Sequence, residues 1–267
     1  MSEGVVLRAA RALFAAPWTM LVTVSGVLLA KTTGRARFIP QAERLWARGL
    51  LRVWGVDVEV ECPQNLQLTG PYVVMANHAS HIDVPILFMA LPFVPGFLAK
   101  QELDRVPFLS MALRAGGHVL LDRADHMSAM RALRGAAKQI RQGKTVVVFP
   151  EGTRGDGRAL LPFKKGGFIL AKAAAVAILP VGIRGSSGVL PRGALLPRSA
   201  GVRVRVGQPI AADEARSHTI GQLLGRVRSQ IAELSEASPG TLHNASVTEN
   251  RDRQPRGGGE SMPACDP

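Results

Sequence analysis

The sequence predicts an α/β fold: a single domain built on a mixed, mostly parallel sheet flanked by helices, preceded by an N-terminal membrane-associated helical element. Three observations lead there. Continuous apolar runs at 72–76 (YVVMA), 119–121, 146–149 and 177–181 have the character of strands covered on both faces. Strict alternation at 56–60 (VDVEV) and 202–206 (VRVRV) marks half-exposed strands. Between these runs, Met127, Met130, Leu133, Ala137 and Ile140 recur at helical spacing. Arg131, Arg134, Lys138 and Arg141 take the opposite face of that helix, and Gly143 is placed to stop it. No internal repeat is present.

At 267 residues the chain is long enough for one sizeable core with short appendages. The expected division is a helical element over 1–55, the α/β body over 56–237 and a polar, aperiodic tail over 238–267, which reads as disordered. Residues 12–30 contain no charge; as a helix these 19 residues reach about 28 Å, close to the hydrocarbon thickness of a bilayer. Arg8 and Arg11 precede the run and Lys31, Arg35 and Arg37 follow it, so basic residues give no clear orientation. No A-x-A cleavage site follows Leu29, which argues against a signal peptide. In the next segment Arg44, Arg48 and Arg52 form a basic stripe beside Leu45/Trp46 and Val53/Trp54, a pattern suited to the plane of a bilayer interface.

The net charge of +13 calls for an anionic partner: a bilayer surface, a phosphorylated substrate or nucleic acid. From Glu236 onward there are three arginines against five acids, so the positive charge belongs to the body. Cys62 and Cys265 are the only cysteines; no Cys/His cluster or disulfide framework is legible, no metal site is expected, and a reducing cytoplasmic compartment fits.

The chemistry concentrates at strand ends. In YVVMANHASHIDVPIL an apolar strand ends at Asn77 and delivers His78 into a turn, with Asp83 five residues on. On one helix those two side chains would not share a face, but across a strand-to-helix turn they converge. A carboxylate so placed holds the imidazole in one tautomer and stabilises its protonated form, making a general base for a hydroxyl. His81 lies two residues from Asp83 and competes for it. FPEGTR follows the strand at 146–149, and open α/β sheets place ligands at that end. There Gly152 permits close backbone approach and Arg154 offers a planar fork for phosphate oxygens. Lys100, Arg123 and the Lys164/Lys165 pair place further cations after apolar runs.

NHASHID, HVLLDR, FPEGTR and ILPVGI stand in the order and approximate spacing of the four motif blocks of the glycerolipid acyltransferase family, which the chain resembles over roughly residues 56–210. The resemblance is greatest to bacterial 1-acyl-glycerol-3-phosphate acyltransferases, and it covers Asn77, His78, Ser80 and Asp83 in the first block. It implies His78 as general base with Asp83 orienting it. It implies binding of the glycerol phosphate by Arg123, Glu151, Gly152, Thr153 and Arg154, with Lys100 as a further contact. The implied donor is acyl-CoA or acyl carrier protein, itself a substrate, so no cofactor is expected. The implied acceptor is lysophosphatidic acid, at the cytoplasmic face of the inner membrane. Leu120 stands where the second block often has an aromatic, and His81 is an unusual neighbour.

Two other readings share the features. One is a sister acyltransferase acting on lyso-ornithine lipid or another lysophospholipid. The other is a non-catalytic basic module on membranes. A nucleic-acid partner is not expected, since aromatics are only 5% and the His/Asp pair is intact.

Overall fold

The structure, a computed structural model, describes residues 4–236 apart from Asn65, Pro107 and Arg123. The tail expected over 238–267 therefore lies outside the described residues, as does the predicted phosphate ligand Arg123.

Two helices open the chain, α1 (Val5–Thr33) and α2 (Phe38–Val53). The body follows as β1 (Val56–Glu61), β2 (Tyr72–Ala76), α3 (Asp83–Ala90), β3 (Gly96–Lys100), α4 (Leu109–Ala115), β4 (Val119–Leu121), α5 (His126–Arg141) and β5 (Val146–Val148). It ends with α6 (Gly166–Ala174), β6 (Ala177–Arg184), α7 (Ser186–Val189), β7 (Ala200–Val206), α8 (Ala212–Ser217) and α9 (Ile220–Glu236). A single 3₁₀ turn, Gln101–Arg105, joins β3 to α4.

The seven strands form one sheet in the order β1-β7-β6-β2-β5-β3-β4, parallel throughout except where β6 meets β7. β2 lies inside the sheet and is buried along its whole length. Its side chains alternate: Tyr72, Val74 and Ala76 join the core under α2 and α3, while Val73 and Met75 join the core under α5, α6 and α9. Two apolar layers thus sandwich the sheet, which explains the unbroken apolar runs in its inner strands. Because β2, β5, β3 and β4 are parallel, the residues after each emerge at one edge of the sheet. That edge receives His78, the loop after β5, Lys100 and the connection leading to α5.

The N-terminal helices form a hairpin whose closeness is set by glycine. A Cβ on Gly49 would stand 2.4 Å from the Trp18 ring, and one on Gly26 2.5 Å from Ala42 Cβ. Tryptophans then stitch the hairpin. Trp18 Nε1 donates to Trp46 O (3.0 Å), Trp46 Nε1 to Thr19 Oγ1 (2.8 Å) and Trp54 Nε1 to Arg11 O (2.8 Å).

This corrects part of the expected interfacial stripe on α2, of which Leu45, Arg48, Arg52 and Val53 stay exposed. Trp54 is buried, Trp46 is half-buried, and the Arg44 guanidinium donates to the carbonyls of Leu91 and Pro92, just past α3. The aromatic face of α2 docks on protein. The broad exposed apolar surface belongs instead to α1, through Leu13, Met20, Leu21, Val24, Leu28 and Leu29. By length and composition α1 is able to cross a membrane.

Candidate active site

β2 ends in a turn that is tied down from three sides. Asn77 exchanges two hydrogen bonds with the backbone of Ile183 in β6: Nδ2 donates to its carbonyl (2.8 Å) and Oδ1 accepts from its amide (2.7 Å). The His78 amide donates to Glu151 Oε1 (2.8 Å), and the His78 carbonyl accepts from the Gly155 amide (2.7 Å). Ser80, fully buried, donates to Leu190 O (2.8 Å). The peptide groups around His78 therefore have little freedom left.

The His78 ring stacks on Phe149, centroids 4.0 Å apart and planes 14° from parallel. Its Nδ1 lies 2.8 Å from Asp83 Oδ2, the first residue of α3. The same oxygen accepts from the amides of Ala79 (2.8 Å) and Ser80 (2.9 Å). Two amides aimed at Oδ2 mark it as an acceptor, so the network assigns the hydrogen to Nδ1 and leaves Nε2 as the basic nitrogen. Asp83 is fully buried, and its Oδ1 has no hydrogen-bond partner. A carboxylate so placed is balanced best by an adjacent positive charge, which an imidazolium supplies. His78 itself keeps 16% of its side chain exposed, enough to meet a substrate. His81 does not compete for Asp83: it is exposed and faces another way. Burial of its inner side, then the positive potential of Arg154 and His78, lower its pKa against the opposing effect of Asp83.

The second motif supports the first from below. Glu151 is 3% exposed, with Oε1 on the His78 amide and Oε2 on the Leu161 amide (2.9 Å). Burial pushes its carboxyl above the ordinary range, and those two amides hold it down in part. Both oxygens are thus committed to backbone. Gly152 adopts φ +72°, and a Cβ there would come within 2.9 Å of the Lys164 side chain. Thr153 is exposed and Arg154 half-buried on the His81 side, while Lys100 is exposed at the end of β3. His78, Asp83, Glu151, Gly152, Thr153 and Arg154 are thereby brought to one stretch of edge. Lys100 shares the edge, without a contact to them.

Two features escaped the sequence reading. Phe149 was visible as the first letter of FPEGTR, yet nothing in spacing shows that it lies under an imidazole. The other is an apolar cavity of about 230 Å³ between the hairpin, α3, β3 and α4, lined by Trp46, Phe88, Phe97, Leu109, Leu113 and, at one side, His81. Its polar pair is internally satisfied: His118 Nε2 bonds Glu43 Oε1 (2.9 Å), and His118 Nδ1 accepts from the Phe97 amide (2.9 Å).

A histidine held by a buried aspartate at the carboxyl edge of an α/β sheet, next to cations and an apolar cavity, agrees with the class to which residues 57–184 are matched: the family model described as Acyltransferase. A 1-acyl-sn-glycerol-3-phosphate acyltransferase of Saccharomyces cerevisiae is 33% identical over 189 residues, 67% of this chain and 60% of that protein. One of Borreliella burgdorferi is 29% identical over 185 residues, 68% of this chain and 73% of that one. Among solved structures, the 1-acyl-sn-glycerophosphate (LPA) acyltransferase PlsC of Thermotoga maritima superposes with a TM-score of 0.71 at 26% identity, covering 85% of this chain and 92% of that one. Residues 57–184 thus form an acyltransferase domain, with the fold of a solved 1-acyl-sn-glycerophosphate acyltransferase.

Proposed function

We propose that the chain transfers a fatty acyl group from acyl-CoA or an acyl carrier protein to the sn-2 hydroxyl of 1-acyl-glycerol-3-phosphate, giving phosphatidic acid and a free thiol. The observation that carries this reading is the 2.8 Å contact between His78 Nδ1 and the buried Asp83, which leaves Nε2 free as a base. The relatives' names supply the acceptor.

In the reaction as proposed, Nε2 takes the proton of the acceptor hydroxyl as its oxygen attacks the thioester carbonyl carbon. Asp83 stabilises the resulting imidazolium. The tetrahedral intermediate then collapses, the C–S bond breaks, and the imidazolium returns its proton to the departing thiolate. The donor is already activated, so the step as written calls for no cofactor. Thr153 and Arg154 are assigned to the glycerol phosphate, with Lys100 as an outer cation on the same edge; Arg123, outside the described residues, is assigned as a further phosphate ligand on the family resemblance alone. Glu151 is assigned to holding the His78 turn and not to direct phosphate contact, since both its oxygens are occupied. The cavity beside His81 is assigned to an acyl chain. The exposed apolar face of α1 supports attachment to a membrane; the inner membrane, with the α/β body on its cytoplasmic face, is the site we assign to the reaction.

An acceptor panel with both donors on purified protein tests the reading. Phosphatidic acid from lysophosphatidate is expected, and His78→Ala should abolish it while the protein stays on membranes. Efficient acylation of lyso-ornithine lipid with lysophosphatidate ignored would overturn the acceptor assignment. Retained transfer in His78→Ala would overturn the mechanism.

A further inference from the structure

Beyond the hairpin, the described residues expose five large hydrophobic side chains, and three of them fall within six positions: Leu103 (38% exposed), Val106 (46%) and Phe108 (40%). This segment connects β3 to α4. Phe108 adopts φ 61°, a backbone conformation that suits glycine and strains a bulky residue. An aromatic side chain is thus held in an unfavourable conformation and also turned toward solvent. Neither choice serves folding.

The neighbours indicate a use. α4 packs against α1, whose outward face is apolar along its length. Leu103 also lines the 230 Å³ cavity, together with Leu109, Ala112 and Leu113 of α4 and Thr19 of α1. Exposed Val106 and Phe108 thus stand beside Leu103, which lines the cavity that reaches His81. The charges nearby are Lys100, Glu102, Asp104, Arg105 and Arg114, three positive against two negative, with Asp104 paired to Arg114. Charges of both signs are interspersed and one pair is satisfied internally, so the net charge of the segment is small. What it offers a partner is apolar surface, continuous with the helix that fits a membrane.

We propose that Leu103, Val106 and Phe108 form a lip that dips into the acyl region of the bilayer and admits a lipid's acyl chain sideways into the cavity. The proposal rests on the acyl-transfer reading for its purpose, though not for its detection. A chain entering over this lip leaves the bilayer without crossing water, and its carboxyl end is carried toward His78.

Two measurements on the full-length protein test it. In Phe108→Trp, which keeps an aromatic at the position, the added emission should be quenched by phosphatidylcholine vesicles brominated on their acyl chains, and the quenching should survive high salt. In the double variant Val106→Asp/Phe108→Asp, KM for vesicle-borne lysophosphatidate should rise about tenfold or more, while turnover of a short-chain lysophosphatidate dissolved as monomer stays unchanged. Unquenched emission overturns the lip, as does shielding of the new tryptophan from iodide before vesicles are added, which would show a protein covering the segment. An unchanged KM in the folded double variant overturns it too. If the double variant loses both activities the segment holds the fold, and the quenching result alone decides. Should the wild type acylate lysophosphatidate in neither presentation, the functional reading fails while the quenching still reports on the lip.

Discussion

Asp83 donates nothing to a substrate; its work is done through one oxygen that gathers His78 Nδ1 and the amides of Ala79 and Ser80. Those amides would orient the carbonyl oxygen of an asparagine in the same way. Asp83→Asn therefore preserves the geometry and removes the charge that supports an imidazolium. A fall in kcat of about 10²–10⁴-fold is expected, with circular dichroism unchanged; near-normal turnover would show that the charge is idle. Glu151 acts on the same histidine from its backbone side. Glu151→Ala leaves the part-buried amides of His78 and Leu161 without acceptors, at no more than about 1–3 kcal/mol each, and denaturant unfolding should register the loss. Its titration has a sign as well. Burial raises the folded carboxyl above its value of 4.5 in the open chain, so between the two the folded state binds the extra proton. Stability from this group declines as pH rises through that window. Glu151→Gln does not titrate, so the stability difference between the two proteins should move in the variant's favour above about pH 4.5; a pH-independent difference would refute this. The pair His78 and Asp83 was legible because both ends of the contact lie within one short motif. The inward role of Glu151 was not, since its partners are backbone groups 73 and 10 positions away.

At the scale of elements, apolar runs located β2 and β4 to the residue; β2, inside the sheet and buried along its length, must be apolar at every position, while β4 is an edge strand and only partly buried. β6 runs on through Pro180 and Gly182 to Arg184, further than its apolar run. Gly182 is needed there because Leu234 of α9 crosses within 2.5 Å of where its Cβ would stand. The two tryptophans of the α2 stripe turn inward for a related reason, while Leu45 and Val53 stay exposed. Sequence shows that one helical face is aromatic and not whether lipid or protein covers it, and three indole hydrogen bonds show that protein does. Gly49→Val tests that arrangement. Its side chain would enter the Trp18 ring and force the hairpin apart, costing about 1–3 kcal/mol by overpacking. Thermal unfolding and tryptophan emission should both shift; an unaltered melting curve would mean that the two helices separate freely.

Over the whole molecule, one face of the sheet carries the hairpin and the other carries α5, α6, α8 and α9. Membrane attachment is thereby confined to one side. Removing residues 1–38 would strip Trp46 and Trp54 of their partners and confuse detachment with misfolding. Charging the outer face is the cleaner experiment. Leu21→Lys/Leu28→Lys, at positions 59% and 58% exposed, should move the protein from the membrane to the soluble fraction while leaving its fold intact. Persistent pelleting in the double variant would place the anchor elsewhere. The strongly apolar N-terminus was plain from composition, whereas its pairing with α2 and the cavity behind it depend on contacts between distant segments.

The bond from Glu151 to the amide of His78 links two stretches of chain separated by more than seventy positions into a single mechanical unit. Anyone building hybrids between members of this family should graft the two blocks as one cassette. A first block from one parent set on a third block from another inherits a mismatched cradle, and its imidazole drifts even though every signature letter is present.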